Sequence, residues 1–331
     1  NPIPSMTDIY SQQSRNKRIT VLLMAAFFVL AALVGVSVDI YWRGGIEGLR
    51  LPIATASAAG FALINSAISY YWGASLVLGS VGAEPLRFDD LSHKKLHNVV
   101  TEMALASGLP MPKVYVMPDP SPNAFAAGRD PDNAHIAVTQ GLLDIMNRDE
   151  LQSVVAHEMA HIKGRDILTM TVVAVLLGTV SLLSDWALRT WRYGGIRPRR
   201  GLRSKGLHPL ILLALAFFVM LSPLISRLMA MAISRNREYQ ADAGAAEFTR
   251  NPLALANALE KISRAASPLM SARRGTAHFF ICDPLKRRID EKEGFFADVL
   301  STHPPVEKRI ERLKKMAYVM EKFSPKPAAK A

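Results

Sequence analysis

Residues 155 to 164 read VAHEMAHIKG, in which His157 and His161 bracket Glu158, Met159 and Ala160. On a helix, residues four apart project within about 40° of one another, so the two imidazoles point the same way, one turn apart. That arrangement suits two nitrogens at about 2.0 to 2.1 Å from one Zn²⁺. Glu158 sits next to this face without lying on it, and can reach a metal-bound water instead of the metal. With 8 histidines and 28 acidic residues, about half taken as glutamate, roughly 0.01 HExxH matches are expected by chance. His93 and His97 share the spacing but enclose Lys94, Lys95 and Leu96. With no carboxylate and two cations that would repel a dication, that pair reads as structural.

A catalytic zinc needs a third protein ligand and an open position for water. SRNREYQADAGAAEF, 234 to 248, offers Glu238 and Asp242, again four apart on a predicted helix. Glu238 is assigned as the ligand; Asp242 accepts a hydrogen bond from the free N–H of a ligand histidine and fixes its tautomer. One zinc per chain in such a site supplies a water of pKa about 7 and a Lewis acid for a peptide carbonyl. Glu158 then takes the water's proton and returns it to the leaving amine.

The elements that must position these residues begin with apolar blocks. The chain has 331 residues, 50% of them hydrophobic, and a mean hydropathy of +0.14. The residues 19 to 38, 51 to 83, 167 to 184 and 209 to 226 carry no charge. Each is long enough to cross a hydrocarbon core of about 30 Å, so four spanning or membrane-embedded helices are expected. The first is long for a signal peptide and lacks a small-x-small cleavage site, and is read as retained. The 77 residues from His161 to Glu238 contain two of these blocks. A membrane hairpin would return the chain to its starting side, and so bring the third ligand to the first two.

The single cysteine, Cys282, excludes an intramolecular disulfide and leaves a cytosol-facing domain as the default. A net charge of +12 is not set in any aromatic-interleaved nucleic-acid module. Much of it flanks the apolar blocks, at Arg15, Lys17 and Arg18 and in 189 to 207. Anionic lipid is therefore the expected partner, and nucleic acid is not.

Two polar stretches hold the chemistry. In the first, residues 89 to 107 carry Leu96, Val99, Val100 and Met103 on one helical seam, ended by Gly108 and Pro110. KVYVM at 113 to 117 and HIAVT at 135 to 139 alternate like strands, separated by a loop rich in Pro, Asp and Asn. The HExxH helix follows, with Asn147 as N-cap, Glu150 completing a capping box and Gly164 as C-cap. The second stretch reads as helices over 234 to 249, 251 to 266 and 305 to 323.

AHEMAHIKGRD, SRNREYQADAGAA and STHPPVEKRIERL, in that order with a hydrophobic hairpin between the first two, resemble the HtpX-type membrane zinc endopeptidases, relatives of the CAAX prenyl proteases. PNAFAAG at 122 to 128 and HIAVTQGLL also look like that family, and the similarity spans roughly residues 109 to 313 plus the leading hairpin. The N-terminal NPIPSMTDIYSQQ and the arginine-rich 189 to 207 connector are less like it. The resemblance implies that His157, His161 and Glu238 bind zinc, that Glu158 is the base and that Asp242 orients a ligand. It also implies that His303 and Arg309 approach the metal and stabilise the oxyanion, as a cation or N–H donor can. On the residues alone, His303 before two prolines is as readily a helix-start residue, and Arg309 a solvated charge.

The expected fold class is α+β, a mainly helical integral membrane protein with a gluzincin-like metallopeptidase domain containing a small β-sheet. Its division is an N-terminal cytosolic segment (1–18), a first transmembrane hairpin (19–83), the first part of the protease domain (84–166), a second transmembrane or embedded hairpin (167–233), the second part of the protease domain (234–323) and a disordered tail (324–331). An exposed edge strand beside the zinc helix can take an extended peptide by main-chain hydrogen bonds. The candidates are HIAVT, through His135, Ile136 and Ala137, or the segment from Asn123 through Ala124 and Phe125. Such binding suits unfolded or damaged membrane proteins and a quality-control role at the bacterial inner membrane, with the active site facing the cytoplasm. One conflict stands: four full spans would place the basic 189 to 207 connector on the far side, against the positive-inside rule. The rival readings are a site-2-type intramembrane protease, with its HExxH inside an apolar span, and an inactive scaffold or transporter with a structural metal site, which needs no general base.

Overall fold

The computed structural model describes residues 6–42, 52–193, 235–265, 281 and 304–323. Helices α1 (Met6–Trp42) and α2 (Ile53–Tyr71) form a hairpin. Val21, Leu22, Val29 and Leu33 on α1 are exposed, a surface that lipid covers and water would not. Gly35 allows the close crossing, since a Cβ there would lie 2.5 Å from Thr55 Cα. The orphan N–H groups at the start of α2 are met from across the hairpin: Ala54 N and Thr55 N donate to the buried Asp39 carboxylate at 3.0 and 2.8 Å.

The second apolar block is not one helix. It breaks at Trp72 and continues as α3 (Gly73–Ser80). Among the described residues, Gln13–Ile40 and Ile53–Tyr71 are long and apolar enough to cross a membrane. A third span exists if α6 (Arg148–Gly164) and α7 (Ile167–Tyr193), bent by 89° at their junction, count as one. The fourth expected block, 209 to 226, lies outside the described residues.

Between α3 and α6 the chain forms a four-stranded sheet and two helices. Helix α4 (Leu91–Ser107) is capped by Asp90, whose side chain accepts from Ser92 N at 2.7 Å, and ends at Gly108, φ 70°. Strands β1 (Glu84–Pro85), β2 (Lys113–Met117), β3 (Ala124–Gly128) and β4 (Ala134–Thr139) lie in the order β1-β2-β4-β3. β4 runs parallel to β2 and antiparallel to β3. The short helix α5 (Gln140–Ile145) starts on the Thr139 side chain, which accepts from Leu142 N. β3 falls inside the stretch expected to be loop; AFAAG has little β-branched content, and its strand state comes from pairing, not propensity.

Strand alternation sends alternate side chains to two cores. Val114, Val116, Ala124, Ala126, Ile136 and Val138 face a cluster built with α4 and α6. Met117, Phe125, Ala127 and Ala137 face the other way, into a cluster with Val77, Leu78 and α7's Val172, Val173 and Leu176. The sheet is thus the layer between α4 and α6 on one side and α3 and α7 on the other. Helices α8 (Arg235–Thr249), α9 (Pro252–Ala265) and α10 (Val306–Phe323) complete the first core through Ala245, Leu255, Leu259 and Leu313.

Candidate active site

Helix α6 carries its chemistry on a buried face because both ends are fixed. Asn147 and Glu150 form the full capping box, Glu150 N to Asn147 Oδ1 and Asn147 N to Glu150 Oε2, both 2.9 Å. At the other end Gly164 is the last helical residue, and Arg165 rather than Gly164 takes the left-handed cap, φ 55°. Helix α8 crosses α6 closely because Gly244 faces Ala160, whose Cβ would be 2.9 Å from any Cβ at 244.

That crossing brings the third carboxylate to the histidines. His157 Nε2 and His161 Nε2 are 3.2 Å apart. Glu238 Oε2 is 3.7 Å from the first and Oε1 3.8 Å from the second. Ligands at 2.0 to 2.1 Å in a tetrahedron are about 3.3 Å from one another, so the three residues could hold a metal with small adjustments. His157, Glu158, His161 and Glu238 are each at most 5% exposed.

Behind the ligands lies a second layer of charge. His157 Nδ1 is 3.1 Å from Asp242 Oδ1, close enough to pair but off-line for a good hydrogen bond. His161 Nδ1 is 2.9 Å from Asp166 Oδ2. Arg309 is fully buried; its Nε and Nη2 donate to the two Asp242 oxygens at 2.9 and 2.7 Å, and its Nη1 lies 3.1 Å from Glu238 Oε2. The reading of Arg309 as a solvated charge is therefore corrected: the face of α10 that carries it packs on α8. His303, expected nearby, lies outside the described residues.

Burial pushes the Glu158 carboxyl up to about 7. For His161 burial works against charge, but Asp166, Glu238 and Glu158 outweigh it and raise the imidazole to about 9. His157 is lowered by burial, though the adjacent Asp242 carboxylate opposes the shift. Asp242 is lowered despite burial, by Arg309 and His157. Without metal, this balance favours the charged imidazolium of His161, whose Nδ1 lies 2.9 Å from Asp166 Oδ2 and whose Nε2 lies 3.2 Å from His157 Nε2.

The two candidate peptide-binding strands are separated by the topology. β4, with His135, Ile136 and Ala137, has a neighbour on each side and cannot be an edge. Ile136 and Ala137 are also fully buried. β3 is the edge strand next to β4. Thr139 N donates to Asn123 O at 2.9 Å, so the polar groups of Ala124 and Ala126 turn outward. Ala124 O accepts from Ile281 N at 3.2 Å, and Ile281 O accepts from Arg309 Nη1 at 2.9 Å. The side chains of Asn123 and Phe125 are buried, as is every residue of β3, so only the outward main-chain groups of β3 are oriented for pairing, and Ala124 O is already taken by Ile281 N. Asp166 was not among the expected site residues; it lies five positions past His161 and beyond the helix end, where periodicity carries no signal.

A buried histidine pair and glutamate, completed by a carboxylate from a second helix on a frame with membrane-crossing helices, define a membrane-bound metallopeptidase. Residues 90–317 match the model of Peptidase family M48, and the chain belongs to that family. It is 43% identical over 310 residues to a protease HtpX homolog of Caldanaerobacter subterraneus subsp. tengcongensis, covering 93% of this chain and 98% of that one. It is 42% identical over 313 residues to the protease HtpX homolog of Thermoanaerobacter pseudethanolicus, covering 94% and 99%. The crystal structure of S. mikatae Ste24p superposes with a TM-score of 0.49 at 17% identity, covering 93% of this chain and 67% of that one.

Proposed function

We propose that the protein is a zinc-dependent endopeptidase that cuts extended stretches of unfolded or damaged membrane proteins, in membrane protein quality control. The observation that carries this is the juxtaposition of His157, His161 and Glu238 with Glu158 at their side and the β3 edge beside α6. Two imidazoles and a carboxylate are the donor set that suits zinc with an open position, and they are the residues that would hold it. Bound there, zinc supplies a water of lowered pKa and polarises a carbonyl.

The chain's own residues do the rest. Glu158 takes the proton of the attacking water and delivers it to the leaving amine, and its burial beside the two histidines keeps it within reach of both. Asp242 and Asp166 orient His157 and His161. Arg309 holds Asp242 and Glu238 in place and lies 3.4 Å from His157 Nε2, where it adds positive potential for a developing oxyanion; the resemblance assigns His303 the same stabilising role. A peptide pairs with the main chain of Ala124 and Ala126, and its N–H at Ala124 O takes the place of that of Ile281. Reading backbone over side chain fits unfolded substrates.

The site is placed on the cytoplasmic side of a bacterial inner membrane, with residues 84–166 and 234–323 as the two halves of the protease domain. The basic residues at 15, 17 and 18, before the first span, support that orientation. A cysteine at the exposed Glu247, in a chain with Cys282 replaced by serine, should not react with an impermeant reagent added to intact cells; labelling there would reverse the orientation. The activity itself is tested with zinc content and casein cleavage by the purified protein: stoichiometric zinc without cleavage would sink the peptidase reading.

A further inference from the structure

The corner where α6 meets α7 makes contacts that packing alone does not require. An α-helix leaves its last four carbonyls without intrahelical donors. At the end of α6 two of them are taken by side chains of α1. Gln13 Nε2 donates to Lys163 O at 3.0 Å, and Asn16 Nδ2 to Gly164 O at 3.1 Å. One turn along, the Thr20 and Thr169 hydroxyls are 2.9 Å apart, and Thr169 Oγ1 lies 3.3 Å from Asn16 O. The first membrane helix therefore grips both arms of the corner.

Within the corner sit Arg165, left-handed at φ 55°, and Asp166. The 89° bend turns Asp166 back along α6, so that its Oδ2 reaches His161 Nδ1 at 2.9 Å. Its Oδ1 has no hydrogen-bond partner among the described residues. The corner backbone sets where this carboxylate points, and the buried Arg237 guanidinium is close enough to attract it electrostatically. An anchor has no use for an amide here. A buried asparagine costs free energy unless it is paired, and leucine would serve an anchor better. Asn16 is 2% exposed and spends its amide on the end of the metal-binding helix.

We propose that α1 is part of the metal centre, with Asn16 and Gln13 as positioning residues that act through the α6 terminus and Asp166 on the ring of His161. This rests on the metallopeptidase reading of the site. Residues behind a metal ligand are worth about 10- to 100-fold in metal affinity.

The test uses the full chain in detergent micelles, with zinc affinity measured against a chromophoric chelator and the visible spectrum recorded on cobalt-substituted protein. Asn16→Leu is expected to weaken zinc binding about tenfold, alter the cobalt spectrum and lower kcat on casein with little change in KM. Asn65→Leu removes a different polar contact of the membrane helices, the bond from Thr179 Oγ1 at 3.2 Å; it should lower Tm without moving zinc affinity. Gln13 is half-buried, so Gln13→Leu decides the matter if Asn16→Leu does not fold, with a smaller shift in the same direction. Zinc affinity within twofold of wild type and an unchanged cobalt spectrum would overturn the proposal, whatever the melting temperatures. Absence of zinc binding by the wild-type chain would instead remove the metallopeptidase reading, which keeps the two failures apart.

Discussion

Arg309 and Asp242 are joined by a two-point fork inside the protein, Nε to Oδ2 at 2.9 Å and Nη2 to Oδ1 at 2.7 Å. The pair links α10 to α8 directly behind His157, across 67 residues of sequence. Two charges out of water are tolerated because each satisfies the other.

Arg309→Met should therefore cost about 3–5 kcal/mol, because it leaves Asp242 buried without its cation. Thermal melts in detergent would register this, and Arg309→Lys should recover part of it by restoring the charge without the fork. A loss below about 1 kcal/mol, the range of exposed ion pairs, would show that the fork is not buried in solution.

Replacing Glu158 with glutamine keeps size and removes the base. Turnover of an unfolded protein should drop by at least about 10²- to 10⁴-fold, while zinc content stays at the wild-type value because Glu158 is not a ligand. Loss of the metal in this variant would move Glu158 into the ligand set.

The metal-free site should carry a pH dependence opposite to that of its metal affinity. His161 holds its proton up to about 9 in the folded protein against 6.5 ordinarily. Its contribution to metal-free stability is thus full below pH 6.5 and lost as pH rises through about 9. Zinc must displace that proton, so apparent affinity should climb by up to about tenfold per pH unit from pH 7 toward 9. A calorimetric titration at several pH values would check both signs, including proton release on binding.

The β3 edge can be tested through its backbone. Ala126→Pro removes one outward N–H from a position where an edge strand tolerates proline. Loss of about one hydrogen bond to substrate should lower kcat/KM for an unfolded protein by about tenfold, with zinc affinity unchanged. An equal effect on cleavage of a very short peptide that cannot span the strand would argue against pairing at β3.

The local parts of this protein were legible because they rest on short-range rules. The capping box at Asn147 and Glu150, the seam of Leu96, Val99, Val100 and Met103, and the shared face of His157 and His161 all follow from the helical period. Glu238 was legible as a candidate third ligand, since a metal pair on one helix needs one from elsewhere, and the structure brings it to the two histidines. Burial misled where one residue type serves two settings: Arg309, in a helix rich in lysine and arginine, has the composition of a solvated face and the position of a core residue.

What the residues determined by themselves was the set of groups and their local spacing. What only the tertiary structure decided was which distant groups meet. The left-handed Arg165 and the bend after it place Asp166 behind His161, Gly244 lets α8 reach α6, and the strand order gives the edge to β3, one of the two candidates, and not to HIAVT. Each of these depends on one backbone corner, one missing Cβ or one choice of strand order, and none of these leaves a period along the chain.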